Sequence, residues 1–192
     1  NLTNAAEIKH ALVERGSIFA SSSDTEVLVH LIARSEAPDA EMQIRSALER
    51  VEGAYSLVIG VGRTLYAVVD PRGFRPLVLG RIGKGIVAAS ETCALDLVGA
   101  TFVRELQPGE FVRITDGVVE DLQPLRARPV SRCVFELIYF ARPDSTIFGQ
   151  SVDRVRREAG RRLALEHPAP GADVVFSVPD SSNAMALGFS EA

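Results

Sequence analysis

The stretch AYSLVIGVGRTLYAVVDPRGFRPLVL, residues 54–79, decides the fold of this chain. It contains three β-rich runs, at 55–59, 64–69 and 77–79, separated by short turns that contain glycine or proline. Runs joined by such short connections predict neighbouring strands that are antiparallel. The stretch therefore predicts the beginning of a mostly antiparallel sheet.

The sequence before this stretch and the sequence after it differ in the spacing of their apolar residues. Further β-rich runs follow it at residues 86–89, 101–106, 111–115 and 118–122, and Asp116-Gly117 between the last two is consistent with a hairpin. Before it, apolar residues recur at helical spacing in three segments, one ending near Gly16, one beginning at the serines 21–23, and one spanning about 38–51. Helices followed by mostly antiparallel strands predict an α+β layer arrangement.

The pattern changes again near residues 126–129, where arginine and proline interrupt the strands. Beyond this point a helical pattern ends at Pro168, and residues 173–178 form a near-continuous apolar run. Such a run is typical of a buried parallel strand. Because a loop and a second helical pattern follow, the sequence predicts an α+β part joined to the beginning of an α/β part.

Composition excludes several classes of protein. The 192 residues are 46% hydrophobic and 24% charged, which is typical of a globular chain. The net charge of −4 shows no excess of basic residues of the kind that binds nucleic acid. No apolar run reaches the roughly 18–20 residues that span a bilayer, so we expect no membrane partner. Two cysteines and no signal peptide favour the cytoplasm. The chain starts at Asn1 without methionine, and we expect an internal fragment that lacks both ends.

The tetrapeptide from Ser23 to Glu26 allows two interpretations. Its S-x-x-E pattern before an apolar run predicts a capping box, in which Ser23 and Glu26 bond each other's backbone N–H groups. That motif leaves Asp24 unexplained. A carboxylate in the first turn of a helix is favoured by the helix dipole, and an exposed one could hold the ammonium group of a substrate.

Two further positions also allow a structural and a functional interpretation. Asp180, Ser181 and Ser182 follow the predicted buried strand, a place suited to phosphate or a metal–phosphate complex, although Asp180 or Ser181 could simply cap the next helix. Cys133 has no CxxC partner, and a small buried apolar side chain is the structural interpretation for it.

Eight motifs in order along the chain carry a resemblance to a known family. They are NLTNA (from Asn1), SDTEVLVHLI (Ser23), GAYSLV (Gly53), DPRGFRPLVLG (Asp70), ASETCALDLVGA (Ala89), LQPGE (Leu106), CVFELIYFARPDS (Cys133) and VPDSSNAMALGFSEA (Val178). Together they cover essentially the whole chain, which resembles the amidophosphoribosyltransferase family. The resemblance implies that residues 1–128 are the C-terminal part of a class II glutamine amidotransferase domain of the αββα N-terminal-nucleophile type. Residues 129–192 would begin a type I phosphoribosyltransferase domain.

The resemblance also implies the reaction and its site residues. Glutamine and phosphoribosylpyrophosphate would give 5-phosphoribosylamine, the first committed step of purine synthesis, with Mg²⁺ as cofactor. Asp24 matches the aspartate that binds the glutamine α-amino group, and Asn1 directly follows the family's Asn-Gly oxyanion-hole pair. Asp180, Ser181 and Ser182 match the pyrophosphate loop, with Ser181 a Mg²⁺ ligand. Cys133 matches one of four ligands of a [4Fe–4S] cluster that only some members carry.

Since the nucleophilic cysteine of the family lies before the matching region, we expect no catalysis from these 192 residues alone. The intact enzyme is expected to be a homo-oligomer. Two alternatives stay open at this stage, namely another class II amidotransferase of the glucosamine-6-phosphate synthase type, and a non-catalytic binding or assembly relative. The VPDSS motif after ARPDS argues against the first alternative.

Overall fold

The structure, a computed structural model, describes all residues from 1 to 192. The chain divides into two compact units, one formed by Asn1–Arg75 with Gln107–Ser131 and the other by Pro76–Leu106 with Arg132–Ala192. The boundaries of these units differ from the domain boundary at residue 128 that the family resemblance implies. That boundary refers to the domains of the longer relatives. No helix combines the length and the apolar character that a membrane span requires.

The first unit places three helices against one four-stranded sheet. The helices are α1 (Ala5–Glu14), α2 (Glu26–Ala33) and α3 (Ala40–Leu48), and the strands are β1 (Ser56–Val61), β2 (Thr64–Val69), β6 (Phe111–Thr115) and β7 (Val118–Asp121). The sheet order is β1-β2-β6-β7, and every pair is antiparallel. One apolar core joins residues of all three helices, such as Leu12, Leu28 and Ile44, to Tyr66 and Phe111 of the sheet.

The second unit has a smaller sheet and more helix. Its elements are β3 (Val78–Ile82), β4 (Gly85–Ala89), α4 (Thr92–Leu97), β5 (Thr101–Glu105), a π-helical segment (Glu136–Phe140), β8 (Thr146–Ile147), β9 (Gln150–Ser151), α5 (Val152–Glu166) and α6 (Asn183–Ser190). The antiparallel sheet has the order β4-β3-β5, and β8 pairs with β9 as a hairpin. Gly160 and Gly188 let α5 and α6 approach closely, because a β-carbon on either would overlap backbone of the other helix.

The sequence predicts most of these elements. Three early helices, antiparallel strands and the hairpin turn at Asp116-Gly117, where both residues have positive φ, are confirmed. Strands β1 to β7 form two separate sheets, and β8 with β9 forms a third, two-stranded one. The short helix α4 has no counterpart among the predicted elements.

The predicted buried strand at 173–178 is wrong. These residues form no strand, and Val174 and Phe176 are 74% and 84% exposed. An isolated extended segment has no neighbour to accept its backbone hydrogen bonds, so apolar composition alone does not make it a strand. The one strand pair in residues 129–192 is the β8–β9 hairpin, which is antiparallel.

Candidate functional site

Asp24 lies just before α2, with its carboxylate directed to the first residues of the chain. Its Oδ2 accepts a 2.7 Å hydrogen bond from the backbone N–H of Leu2, and Oδ1 accepts a longer one, 3.3 Å, from the hydroxyl of Thr25. The bond from Leu2 lowers the pKa of Asp24, against the opposing effect of partial burial. Asp24 is therefore an ionised, half-buried carboxylate that could pair with a cation.

The segment Asn1–Thr3 is held by backbone pairing as well as by Asp24. Leu2 and Gly53 form an isolated antiparallel bridge, in which Thr3 N–H donates to Glu52 O (2.8 Å) and Ala54 N–H donates to Asn1 O (3.1 Å). Gly53 has φ +128°, and a β-carbon there would overlap the carbonyl oxygen of Asn1 and lie 2.9 Å from Leu2 Cα. Only glycine permits this approach.

Asn4 fixes the end of the same segment. Its side-chain Nδ2 donates to Arg50 O at 3.0 Å, and its Oδ1 accepts from Glu52 N–H at 2.9 Å. Asn4 occupies the N-cap position of α1, yet its side chain makes no capping bond to that helix. We call residues Asn1–Asn4 the clamped segment, since Asp24, Gly53 and Asn4 all fix its position.

The capping box predicted at Ser23–Glu26 is wrong. The Glu26 carboxylate accepts hydrogen bonds from Ala20 N–H (2.7 Å), Ser21 N–H (2.9 Å) and the Ser21 hydroxyl (2.6 Å), while Ser23 N–H donates to the Ser21 hydroxyl. These bonds, above all the one from the Ser21 hydroxyl, lower the pKa of Glu26 to about 2. Glu26 thus fixes the loop that leads into Asp24 rather than closing a cap with Ser23.

Asp180, Ser181 and Ser182 lie together in the loop before α6. Ser182 is the N-cap residue of α6 but forms no side-chain cap, and its hydroxyl donates to Val178 O. Capping by Asp180 or Ser181, the structural interpretation from the sequence, is therefore not observed. Next to this loop a groove of about 420 Å³ is lined by Val175, Phe176, Ser177, Asn183, Ala186, Leu187 and Ser190.

Cys133 is half-buried and Cys93 is buried, and both are free thiols. A [4Fe–4S] cluster takes four thiolate ligands, and no group of three His, Cys, Asp or Glu side chains in the 192 residues could hold a metal ion. The donors of this chain therefore do not fit a complete cluster site. Burial, opposed by a hydrogen bond from Ser145, raises the pKa of Cys93, which favours its neutral thiol.

Two polar residues of the second unit, the half-buried Glu91 and the buried Arg156, make contacts that sequence reasoning missed. The Glu91 carboxylate accepts from the Ser145 hydroxyl and the Arg142 N–H, each at 2.8 Å. Arg156, 1% exposed, donates to Leu137 O and Ala141 O around the π-helical segment, and burial lowers its pKa. Both residues bond to segments that are 15–54 residues away in the sequence, so no local pattern indicates these contacts.

Comparison with known proteins places this geometry in a family. A sequence model described as a glutamine amidotransferase domain matches residues 1–97, which contain Asp24 and the clamped segment. The chain belongs to the glutamine amidotransferase family. The matched part includes the three helices and the first four strands, so the amidotransferase region has mixed helix and strand content.

Whole proteins, which are longer than this chain, match it beyond residue 97 and over its full length. Amidophosphoribosyltransferases of Staphylococcus epidermidis and Bacillus subtilis are each 46% identical to it over all 192 residues. Glutamine phosphoribosylpyrophosphate amidotransferase from B. subtilis, solved with ADP and GMP, matches the whole chain with a TM-score of 0.95 and 45% identity, over 42% of its own length. The resemblance predicted from the motifs is confirmed.

The match covers a limited share of those proteins. The chain spans 39% of the S. epidermidis relative and 40% of the B. subtilis one. A second solved structure, described as the allosteric regulatory enzyme of purine biosynthesis, is covered to 41% with a TM-score of 0.94. The chain therefore corresponds to about two fifths of the relatives that it matches.

Proposed function

We propose that the intact protein is an amidophosphoribosyltransferase, which converts glutamine, phosphoribosylpyrophosphate and water into 5-phosphoribosylamine, glutamate and pyrophosphate. The observation that carries this proposal is the 46% identity over all 192 residues to enzymes of that name. The alternative amidotransferase type, which would continue into a sugar-isomerase domain, does not account for the match beyond residue 97.

In the proposed glutamine site, the Asp24 carboxylate binds the α-ammonium group of glutamine. Support comes from its low pKa and from its position beside the clamped segment, which in the family directly follows the oxyanion-hole pair. A cysteine thiolate attacks the amide carbon, and the amide nitrogen leaves as ammonia after taking up a proton. Water then hydrolyses the thioester and releases glutamate. The oxyanion-hole donors stabilise the negative oxygen of each tetrahedral intermediate.

The second half of the reaction is assigned to the region that begins at residue 129. There the nitrogen lone pair of ammonia attacks the ribose C1, and pyrophosphate leaves with the electrons of the broken C–O bond. Asp180, Ser181 and Ser182 are proposed to bind the pyrophosphate side of the substrate, with the Ser181 hydroxyl as one ligand of Mg²⁺. A bound Mg²⁺ would neutralise charge on the leaving pyrophosphate. Because Mg²⁺ is usually held by few protein oxygens and by substrate phosphates, this small donor set fits it.

Three broader expectations complete the proposal. Residues 1–128 belong to the αββα glutaminase and residues 129–192 to the phosphoribosyltransferase domain. The intact enzyme is a cytoplasmic homo-oligomer. Cys133 becomes a cluster ligand only if three more cysteines join it, and iron and sulfide analysis of the anaerobically purified intact protein decides that point.

The substitution Asp24→Ala in the intact protein tests the glutamine site. We expect the KM for glutamine to rise on the order of 100-fold, because an ammonium–carboxylate contact is lost, whereas activity with free ammonia persists. Asp24→Asn is the matched variant, since its amide oxygen can still accept from Leu2 N–H while the charge is gone. Equal loss of both activities would refute the role of Asp24, and absence of glutamine-dependent synthesis in the wild type would refute the proposed function.

A further inference from the structure

Asn4 uses its side chain in a way that its position does not explain. Asparagine at an N-cap ordinarily accepts a hydrogen bond from the first turn of its own helix. Here the Asn4 amide instead bonds Arg50 O and Glu52 N–H, 46 and 48 residues away, and α1 has no side-chain cap. A local stabilising bond is thus replaced by two distant ones. Departures of this kind from local preference are expected at functional sites.

The two bonds extend the backbone pairing of the clamped segment. The pairing has a single bridge, Leu2 with Gly53, flanked by the bonds of Thr3 N–H to Glu52 O and Ala54 N–H to Asn1 O. The Asn4 amide has the donor and acceptor of a peptide group, and it adds the next bonds along the same strand partner. Glu52 is therefore bonded at both its N–H and its C=O by the clamped segment.

This pairing controls the position of the Asn1–Leu2 backbone. A single bridge specifies register weakly, whereas added bonds at its end resist a shift along the strand. The backbone N–H of Leu2 also donates to the Asp24 carboxylate, so a shift of register would break that hydrogen bond as well. Asn4 therefore holds the backbone at the point where the oxyanion-hole pair joins it in the proposed enzyme.

We propose that Asn4 is a positioning residue for glutamine hydrolysis, whose amide sets the register of the Asn1–Thr3 backbone and thereby the placement of the oxyanion-hole donors. The inference rests on the proposed function. Asn4 contacts neither substrate nor nucleophile in this scheme. Because oxyanion-hole donors act on the transition state and Asp24 acts on the bound substrate, loss of Asn4 lowers kcat more than it raises KM.

The test uses the intact protein and the variants Asn4→Ala and Asn4→Asp. Glutamate release and ammonia-dependent phosphoribosylamine formation are both measured against substrate concentration. We expect Asn4→Ala to lower kcat for glutamine by about 10- to 100-fold, with KM changed by less than about threefold. Asn4→Asp keeps the acceptor for Glu52 N–H and loses the donor to Arg50 O, so its kcat falls to an intermediate value.

Thr3→Val is the matched control on the same segment. It removes only the exposed 3.3 Å bond from the Thr3 hydroxyl to Glu52 O, and we expect kcat to stay within about twofold of the wild type. If Asn4→Ala does not fold, the kcat and KM of Asn4→Asp are compared with those of Thr3→Val and the wild type instead.

Three results would overturn the role of Asn4. They are an unchanged kcat in both Asn4 variants, a rise in KM without a fall in kcat, and an equal loss of the glutamine- and ammonia-dependent activities. A wild-type protein that makes phosphoribosylamine from ammonia yet releases no glutamate from glutamine would overturn the proposed function itself, and the inference with it.

Discussion

Two short segments of this chain contrast in what holds them. The clamped segment, Asn1–Asn4, has one buried apolar residue, Leu2, and is fixed by one bridge and by the side chains of Asp24 and Asn4. Residues 173–178 are far more apolar, with three valines and a phenylalanine, but within these 192 residues they belong to no strand or β-bridge and are largely exposed. The polar segment is the more firmly placed of the two.

The difference shows that partners, rather than composition, decide whether an extended segment is fixed. A backbone N–H or C=O needs a bonding partner when it leaves water, and the clamped segment finds one in Glu52–Ala54 and in Asp24. Residues 173–178 have the side chains for burial without a neighbouring strand. Apolar side chains favour burial, yet they do not supply the hydrogen bonds that a strand requires.

Gly53→Ala should have the largest effect, because it removes the partner of the clamped segment. The alanine would need φ near +128° and would overlap the Asn1 carbonyl, so we expect the free energy of unfolding of the 192-residue chain to fall by about 3 kcal/mol. Gly16→Ala is the control, since Gly16 also has positive φ, +85°, but open space around it. It should cost about 1 kcal/mol in urea unfolding. Equal losses for the two variants would show that the close approach at Gly53 is unimportant.

Glu26→Gln should have a smaller, pH-dependent effect on the loop that leads to Asp24. The folded pKa of Glu26, about 2, is below its ordinary value of 4.5, so ionised Glu26 stabilises the fold above pH 4.5. That stabilisation is lost as the pH falls from 4.5 through 2. We therefore expect the variant to be less stable at pH 7 and to approach the wild type near pH 2, as measured by thermal unfolding across this range.

Glu36→Gln, at an exposed position beyond α2, is the control for this pH series. We expect its unfolding curve to follow that of the wild type at every pH. A Glu26→Gln curve that stays parallel to the wild type from pH 7 to pH 2 would contradict the assigned bonds to Ala20 and Ser21.

Phe176→Ser should have the smallest effect, despite the loss of a large apolar side chain. Phe176 is 84% exposed, so in the 192-residue chain we expect the free energy of unfolding to change by less than about 0.5 kcal/mol. A loss above about 1 kcal/mol in chemical denaturation would mean that Phe176 is buried after all, and the contrast with the clamped segment would disappear.

Much of the fold follows from local sequence signals. Glycine-containing turns and β-rich runs predict the hairpins, and Asp116-Gly117 is a clear example because both of its residues adopt the positive φ that the turn requires. The helices α1 to α3 follow from their apolar spacing. Local signals fail where a residue has a choice of partners. Glu26 bonds Ala20 and Ser21 rather than Ser23, and Asn4 bonds Arg50 and Glu52 rather than its own helix.

The candidate site was predictable in part. The motifs single out Asp24 and the loop of Asp180, Ser181 and Ser182, whose roles stay predictions. Asn4 and Gly53 lie in the motifs NLTNA and GAYSLV, but the motifs do not indicate their contacts, since an asparagine before a helix and a glycine after one are ordinary capping residues. Their part in the clamped segment depends on pairing between stretches about 50 residues apart, which spacing within either stretch does not reveal.

By itself, the sequence determined the helices α1 to α3, the antiparallel character of strands β1 to β7 and the family to which the chain belongs. These depend on short-range preferences and on residue identities that can be compared directly. The tertiary structure alone decided which backbone groups meet, and therefore that Leu2 is held by Asp24 and Gly53 while Phe176 is left exposed. The physical reason is that hydrogen bonds and close packing need a partner at a fixed distance. Folding brings Leu2 its partners from distant parts of the chain, whereas no strand of these 192 residues lies beside Phe176.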